Sequence, residues 1–168
     1  MRTLLLLLIC TIFSVSNTYA QSQSPCNTEA HAQFDFWVGE WDVYHSVADT
    51  LLGSNIITRT LNGCVVEENW TGSTGFRGKS FNTYNPLDST WNQVWVDQGG
   101  NTLQFKGKYK NQTMQLLGQY GNAPNHVLLD LSFHWNKEED TVRQVWKSSS
   151  DKGDNWQTVF DGTYKRKK

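Results

Sequence analysis

Carboxylate, amide and aromatic side chains alternate along several segments of this chain, and they are its candidates for chemistry. In an extended strand, side chains two residues apart point to the same face. The alternation groups rings with hydrogen-bonding side chains on common faces: Glu68, Trp70, Asn82, Tyr84, Gln93, Trp95, Gln144 and Trp146. If these faces point inward, they line a ligand-binding cavity with aromatic walls and polar anchors. The alternative is that the rings only fill a core.

Two carboxylates on these segments are the catalytic candidates, as general acid or base. Glu68 shares its face with Trp70, and burial beside a ring would raise the pKa of its carboxyl group. Asp97, on another predicted strand, is its candidate partner. The structural alternative is that Glu68 bonds Arg143 or an amide at the end of the barrel. The sequence leaves both roles open.

The histidines do not form a metal-binding pattern. His31, His45, His126 and His134 include no pair spaced as His-x-His or His-x-x-x-His. The chain also has no dinucleotide fingerprint and no Ser–His–Asp order. We therefore expect no metal and no cofactor.

Residues 1–20 have the features of a secretory signal peptide. Arg2 precedes an apolar run over residues 4–15, and Thr18 and Ala20 place small residues before the cleavage point. The run is too short to span a bilayer comfortably, so we expect no membrane insertion after cleavage. The sequence thus predicts a secreted or periplasmic protein whose single domain covers residues 21–168.

Export gives the cysteines a structural interpretation. Cys10 lies within the predicted signal peptide, which leaves Cys26 and Cys64. A pair of cysteines in an oxidising compartment favours a disulfide. The competing interpretation, a metal-binding or catalytic thiol, lacks a nearby Cys or His at ligand spacing.

The charge balance excludes a polyanion partner. Lys and Arg total 15 and Asp and Glu total 16, so the formal net charge is −1. Such a chain has no basic field for nucleic acid. The expected partner is a small molecule.

Alternating apolar segments between turn residues predict an all-β fold. The predicted strands cover residues 37–47, 55–61, 64–71, 79–85, 91–97, 102–110, 113–120, 127–135, 141–148 and 156–165. Only residues 27–34 favour a helix. About ten consecutive strands without a crossover helix predict an antiparallel meander closed into a barrel, with a β-sandwich as the alternative.

One string near the first strand resembles a known family. In FDFWVGEWDV, residues 34–43, a short helix is followed by Gly-x-Trp on a strand, which resembles the opening of lipocalin-like (calycin) barrels. Further segments extend the resemblance to the DUF1579 family of exported bacterial proteins: residues 63–70, 78–84, 91–97 and 142–164. The resemblance implies a small lipocalin-like barrel in which Trp41 plugs the closed end. It does not fix the chemistry.

The leading hypothesis is an exported barrel that binds a partly aromatic or hydroxylated small molecule. The alternative is an enzyme on the same barrel, an isomerase, cyclase or hydrolase, that uses Glu68 or Asp97. A third hypothesis comes from the haem-binding nitrobindins, which share the barrel architecture and use one axial histidine. His134 would be that ligand here, although the glycine-rich first-strand pattern of the nitrobindins is absent.

Overall fold

The computed structural model describes residues 25–121, 124 and 126–168. The predicted signal peptide, residues 1–20, lies outside the described residues. In the described part, no helix is both long enough and apolar enough to cross a membrane.

Within the described residues, ten antiparallel strands form one closed barrel. Each strand pairs with the next along the chain, and the last strand closes against the first. The strands are β1 (Gly39–His45), β2 (Leu51–Thr60), β3 (Val65–Gly72), β4 (Arg77–Asn85), β5 (Thr90–Asp97), β6 (Thr102–Lys110), β7 (Thr113–Tyr120), β8 (Val127–Asn136), β9 (Thr141–Ser149) and β10 (Gln157–Arg166). The prediction of an all-β meander closed into a barrel is confirmed.

The second strand is longer than the sequence predicts. It begins at Leu51 rather than at residue 55, so Gly53 lies inside it. A Cβ atom at Gly53 would stand 2.4 Å from the backbone oxygen of Thr71 on β3. This glycine therefore permits a close approach of two strands, where the sequence suggested a break.

The N-terminal segment closes one end of the barrel, called here the closed end. Helix α1 (Glu29–Ala32) is shorter than predicted, and the Thr28 side chain caps it by accepting from the backbone N–H of His31. A 3₁₀ turn, Asp35–Trp37, follows it. Phe34 and Trp37 are fully buried, and the Trp37 ring lies 4.6 Å from that of Phe133 on β8. The segment thus fills the closed end with aromatic rings.

Trp41 connects the aromatic rings of the closed end to the first and last strands. Its side chain is fully buried, and its Nε1–H donates to the backbone oxygen of Trp37 at 2.8 Å. The guanidinium of Arg166 on β10 stacks 3.8 Å from its ring centroid and donates to the Val38 carbonyl. A cation over an indole adds to the stabilisation that burial provides.

A disulfide between Cys26 and Cys64 holds the N-terminal segment on the closed end, which confirms the predicted pairing. It bridges 38 residues of sequence, from the chain before α1 to the turn after β2. Arg59 on β2 also holds the N-terminal segment in place, because its guanidinium donates to the carbonyl oxygens of His31 and Gly63.

Gly107→Ala tests how closely β6 and β7 approach. A Cβ atom at Gly107 would lie 1.8 Å from the backbone oxygen of Gln115, so the strands must separate to admit it. We expect a loss of about 1–3 kcal/mol in the free energy of unfolding, measured by urea denaturation. Lys108→Ala, on the exposed face of the same strand, should change it by less than about 0.5 kcal/mol. Equal stability of the two variants would contradict this packing.

Candidate functional site

The barrel contains a cavity of about 240 Å³ that is partly open to solvent, on the side away from α1. Its walls, called here the cavity walls, are aromatic rings from five strands: Trp70, Trp95, Phe105, Trp146 and Phe160. The rings of Trp70 and Phe160 meet edge to face at 5.9 Å, and those of Phe105 and Trp146 do so at 6.1 Å. Phe76 and Val159, which are partly exposed, also line the cavity.

Gly78 makes room for one wall of the cavity. A Cβ atom at this position on β4 would lie 2.2 Å from the ring of Trp95 on β5, two residues along from its register partner Asp97. Any larger side chain at position 78 would push the indole out of place. The glycine, which looks like a turn residue in the sequence, therefore positions an aromatic wall.

Four polar side chains form the cavity floor: Glu68, Gln93, Gln144 and Tyr164. Glu68, Gln93 and Gln144 come from the middle of β3, β5 and β9, and Tyr164 comes from near the end of β10. Glu68 and Gln93 are buried, with exposed fractions of 4% and 2%. The floor separates the cavity from the aromatic plug of the closed end.

Glu68 accepts two short hydrogen bonds from uncharged side chains. Asn55 Nδ2 donates to its Oε1 and Ser80 Oγ donates to its Oε2, both at 2.7 Å. Burial raises the pKa of Glu68 to about 7, and the two hydrogen bonds offset only part of that rise. The carboxyl group is therefore about half ionised near neutral pH.

Tyr164 links Glu68 to the other side of the floor. Its hydroxyl accepts from Asn55 Nδ2 at 3.2 Å and donates to Gln144 Oε1. Burial, and next the charge of Glu68, raises the pKa of Tyr164 well above its usual value. The phenol thus stays protonated and relays a hydrogen-bond network from β2 to β9.

A second branch of the network supports the floor from β4. Asn82 Nδ2 donates to the Val66 carbonyl at 2.9 Å and to Ser80 Oγ at 3.0 Å. Gln93 Nε2 donates to Asn82 Oδ1 at 2.8 Å. Asn82 thus positions Ser80 and Gln93 but does not line the cavity.

The structure brings most of the predicted binding residues together. Those that line the cavity are Glu68, Trp70, Gln93, Trp95, Gln144 and Trp146. Tyr84 does not line it, because its ring packs on His31 and Trp91 at the closed end, with centroids 5.1 and 5.9 Å away. Tyr84 lies on the inward face of β4, as predicted, but at the end of the strand nearest the closed end of the barrel.

Asp97 does not join Glu68. It lies at the end of β5, where it accepts from the backbone N–H groups of Gly99 and Asn101 at 2.8 and 3.2 Å. Burial is the largest single influence and raises the pKa of Asp97, but the hydrogen bonds from Asn101, Gly99 and Trp95 together outweigh it, so the pKa lies below its usual value. Asp97 thus caps the turn after β5 as a carboxylate. It does not line the cavity.

Arg143 and His134 both lie outside the cavity. Arg143 pairs with Asp161 through two hydrogen bonds of 2.8 and 2.7 Å, so it does not bond Glu68 as the structural alternative suggested. His134 is exposed and contacts Thr113 and Ser132. Burial, followed by the charge of Arg143, lowers its pKa. Its place on the outer face of β8 offers no axial ligand to a group inside the barrel.

Asn55, Ser80 and Tyr164 belong to the site but are not among the predicted site residues. Alternation places Ser80 on the same strand face as Asn82 and Tyr84. Asn55 and Tyr164 lie on strands with one or two polar inward positions, which carry no local signal. Asn55 is a diagonal neighbour of Glu68 across the β2–β3 pairing, whereas Tyr164 on β10 reaches the site only because the barrel closes. Among the described residues, no group of three or more His, Cys, Asp or Glu side chains could hold a metal ion.

Comparison with known proteins adds no assignment: no family model matches the chain, and no curated protein matches it significantly. The resemblance to lipocalin-like barrels therefore stays a prediction.

Proposed function

We propose that the protein binds a small, partly aromatic or hydroxylated molecule in the barrel cavity. The observation that carries this proposal is an internal cavity with aromatic walls and a polar floor. Rings provide contact area for an apolar ligand, while a few convergent polar groups set its orientation. If the rings only filled a core, a buried carboxyl group such as that of Glu68 would not be needed beside them.

The cavity volume limits the ligand. Pockets for drug-sized molecules span about 300–1,000 Å³. At about 240 Å³, this cavity is smaller and suits a molecule with one ring. A hydroxyl or amine on that ring would reach the hydrogen-bonding groups of the floor.

The proposed setting is extracellular or periplasmic, within a lipocalin-like architecture. The predicted signal peptide and the Cys26–Cys64 disulfide both favour an exported protein. The Gly-x-Trp segment, with Trp41 buried at the closed end, supports the lipocalin-like interpretation. In this proposal the protein captures a small molecule outside the cytoplasm.

An enzyme on the same barrel is the second candidate function, and Glu68 favours it. A carboxyl group with a pKa of about 7 on a cavity floor can both give and take a proton near neutral pH. It could serve an isomerase, cyclase or hydrolase. An activity left intact by Glu68→Gln would remove this assignment.

Trp146→Ala tests the proposed binding site. Removing a wall ring should weaken binding of single-ring alcohols, phenols and amines at least about tenfold, since stacked aromatic area is lost. Saturation-transfer NMR with a panel of such molecules, followed by titration calorimetry of those that bind, measures the effect.

The matched control is Trp156→Ala. Trp156 is 41% exposed in the β9–β10 turn, and its Nε1–H donates to the Gly153 carbonyl. This change should leave affinity within about twofold of wild type, because the ring is outside the cavity lining. Binding that is lost in Trp156→Ala and kept in Trp146→Ala would place the ligand elsewhere.

A further inference from the structure

Glu68 has the surroundings of an anion without a counter-ion. Both carboxyl oxygens accept hydrogen bonds, from Asn55 and Ser80, as those of an ionised carboxylate do. The group is 4% exposed. Buried charges in proteins are normally paired with an opposite charge. Among the described residues, no basic side chain pairs with Glu68.

The groups that flank Glu68 supply no positive charge. Asn55 on β2 and Ser80 on β4 are neutral, and Tyr164 on β10 is the titratable group that bears on it. The lining of the cavity contains no Lys, Arg or His among the described residues. Nearby basic groups are engaged outside the cavity, Lys79 with Glu67 and Arg143 with Asp161.

The cavity walls also favour a positive charge. The faces of Trp, Tyr and Phe rings carry negative potential and attract an ammonium group within about 6 Å of the ring centroid. Trp70, Trp95 and Trp146 line the same cavity as the Glu68 carboxyl group. A cation placed there would contact the indole rings and the Glu68 carboxylate together. Both kinds of group attract a positive charge.

We infer that the ligand is a small organic cation, a single-ring alkylammonium compound whose charged nitrogen lies against Glu68 within the rings of the cavity walls. This inference rests on the proposed binding function and names the ligand class for that same site. The cation completes the missing ion pair. Because Glu68 must be ionised to pair with it, ligand binding and proton release are coupled.

The test compares three probes that share one ring and differ in charge: benzylamine, benzyl alcohol and benzoate. At about pH 8, titration calorimetry should show benzylamine, a cation, binding roughly ten- to a hundredfold more tightly than benzyl alcohol. Benzoate should bind most weakly, because its charge repels that of Glu68. Below pH 7 the benzylamine affinity should fall by up to about tenfold per pH unit, whereas that of benzyl alcohol should stay constant.

Two variants locate the effect. Glu68→Gln should reduce the benzylamine affinity to about that of benzyl alcohol measured in the same variant, and should remove its dependence on pH. Glu67→Gln, at the next position of β3 and paired with Lys79 on the outside, should preserve the preference for the amine. A cooperative urea unfolding transition shows that each variant is folded.

The outcomes separate this inference from the function on which it rests. Benzyl alcohol binding as tightly as benzylamine to the wild-type protein, or a benzylamine affinity independent of pH, would overturn the cation and leave the binding function standing. If none of the three probes binds, the cation inference is wrong. If no single-ring molecule of the wider panel binds either, the binding function is also wrong.

Discussion

The wild-type protein should lose about 3 kcal/mol of its free energy of unfolding as the pH rises from 4.5 to about 7, and Glu68→Gln should not show this loss. The pKa of Glu68 is about 7 in the folded state and takes its ordinary value of 4.5 when the chain unfolds. Between these values the folded state holds a proton that the unfolded state has released. Its contribution to stability is therefore complete below pH 4.5 and is lost as the pH rises through 7.

The magnitude follows from that interval. Each pH unit between 4.5 and about 7 is worth about 1.36 kcal/mol, which gives about 3 kcal/mol in all. Glutamine cannot lose a proton, so the variant should lack this decline. Urea denaturation of both proteins from about pH 4 to pH 8 measures the difference in the free energy of unfolding.

Glu67→Gln is the control for this measurement, since Glu67 lies at the adjacent position of β3 and pairs with Lys79. It should follow the wild-type pH profile closely. Parallel profiles for wild type and Glu68→Gln would mean that Glu68 is not the buried acid that the structure describes.

Trp41→Ala should destabilise the protein by about 3–5 kcal/mol. The ring is fully buried, and its removal leaves a cavity at the closed end. It also leaves the Trp37 carbonyl without its indole donor and Arg166 without the ring on which it stacks. Because Arg166 lies on β10, the loss should loosen the contact that closes the barrel.

Chemical denaturation of Trp41→Ala beside Trp156→Ala checks this expectation. Trp156 is 41% exposed, so its truncation should cost less than about 1 kcal/mol. Similar losses in the two variants would contradict a structural role for Trp41 in closing the barrel.

The strands could be predicted because turn residues and alternation are local signals. Residues 102–110 and 113–120 are predicted with the bounds that the structure has, since Asn111 and Gln112 adopt the positive φ of a tight turn. The error at Gly53 has a physical cause. A glycine that admits a neighbouring strand cannot be told from a turn glycine without knowledge of the partner.

The site was partly predictable for a related reason. Alternation gives the face of a strand but not the level along the barrel, so Tyr84 shares a face with Ser80 and yet lies at the closed end. Asn55 lies beside Glu68 because β2 pairs directly with β3, but Tyr164 joins the network only because β10 and β2 flank β1 in the closed sheet. Closure of the meander is a long-range property, and no spacing in the sequence reports which strands it brings together.

The central claim is that a small molecule binds between the cavity walls, and the indole N–H signals of the eight tryptophans test it most directly. A two-dimensional ¹H–¹⁵N spectrum, assigned by single Trp→Phe variants, is recorded while single-ring alcohols, phenols and amines are added. We expect the signals of Trp70, Trp95 and Trp146 to shift saturably with at least one of these probes, while Trp41 and Trp156 stay in place. A shift confined to Trp156, or none at the three wall residues with any probe, would contradict the account.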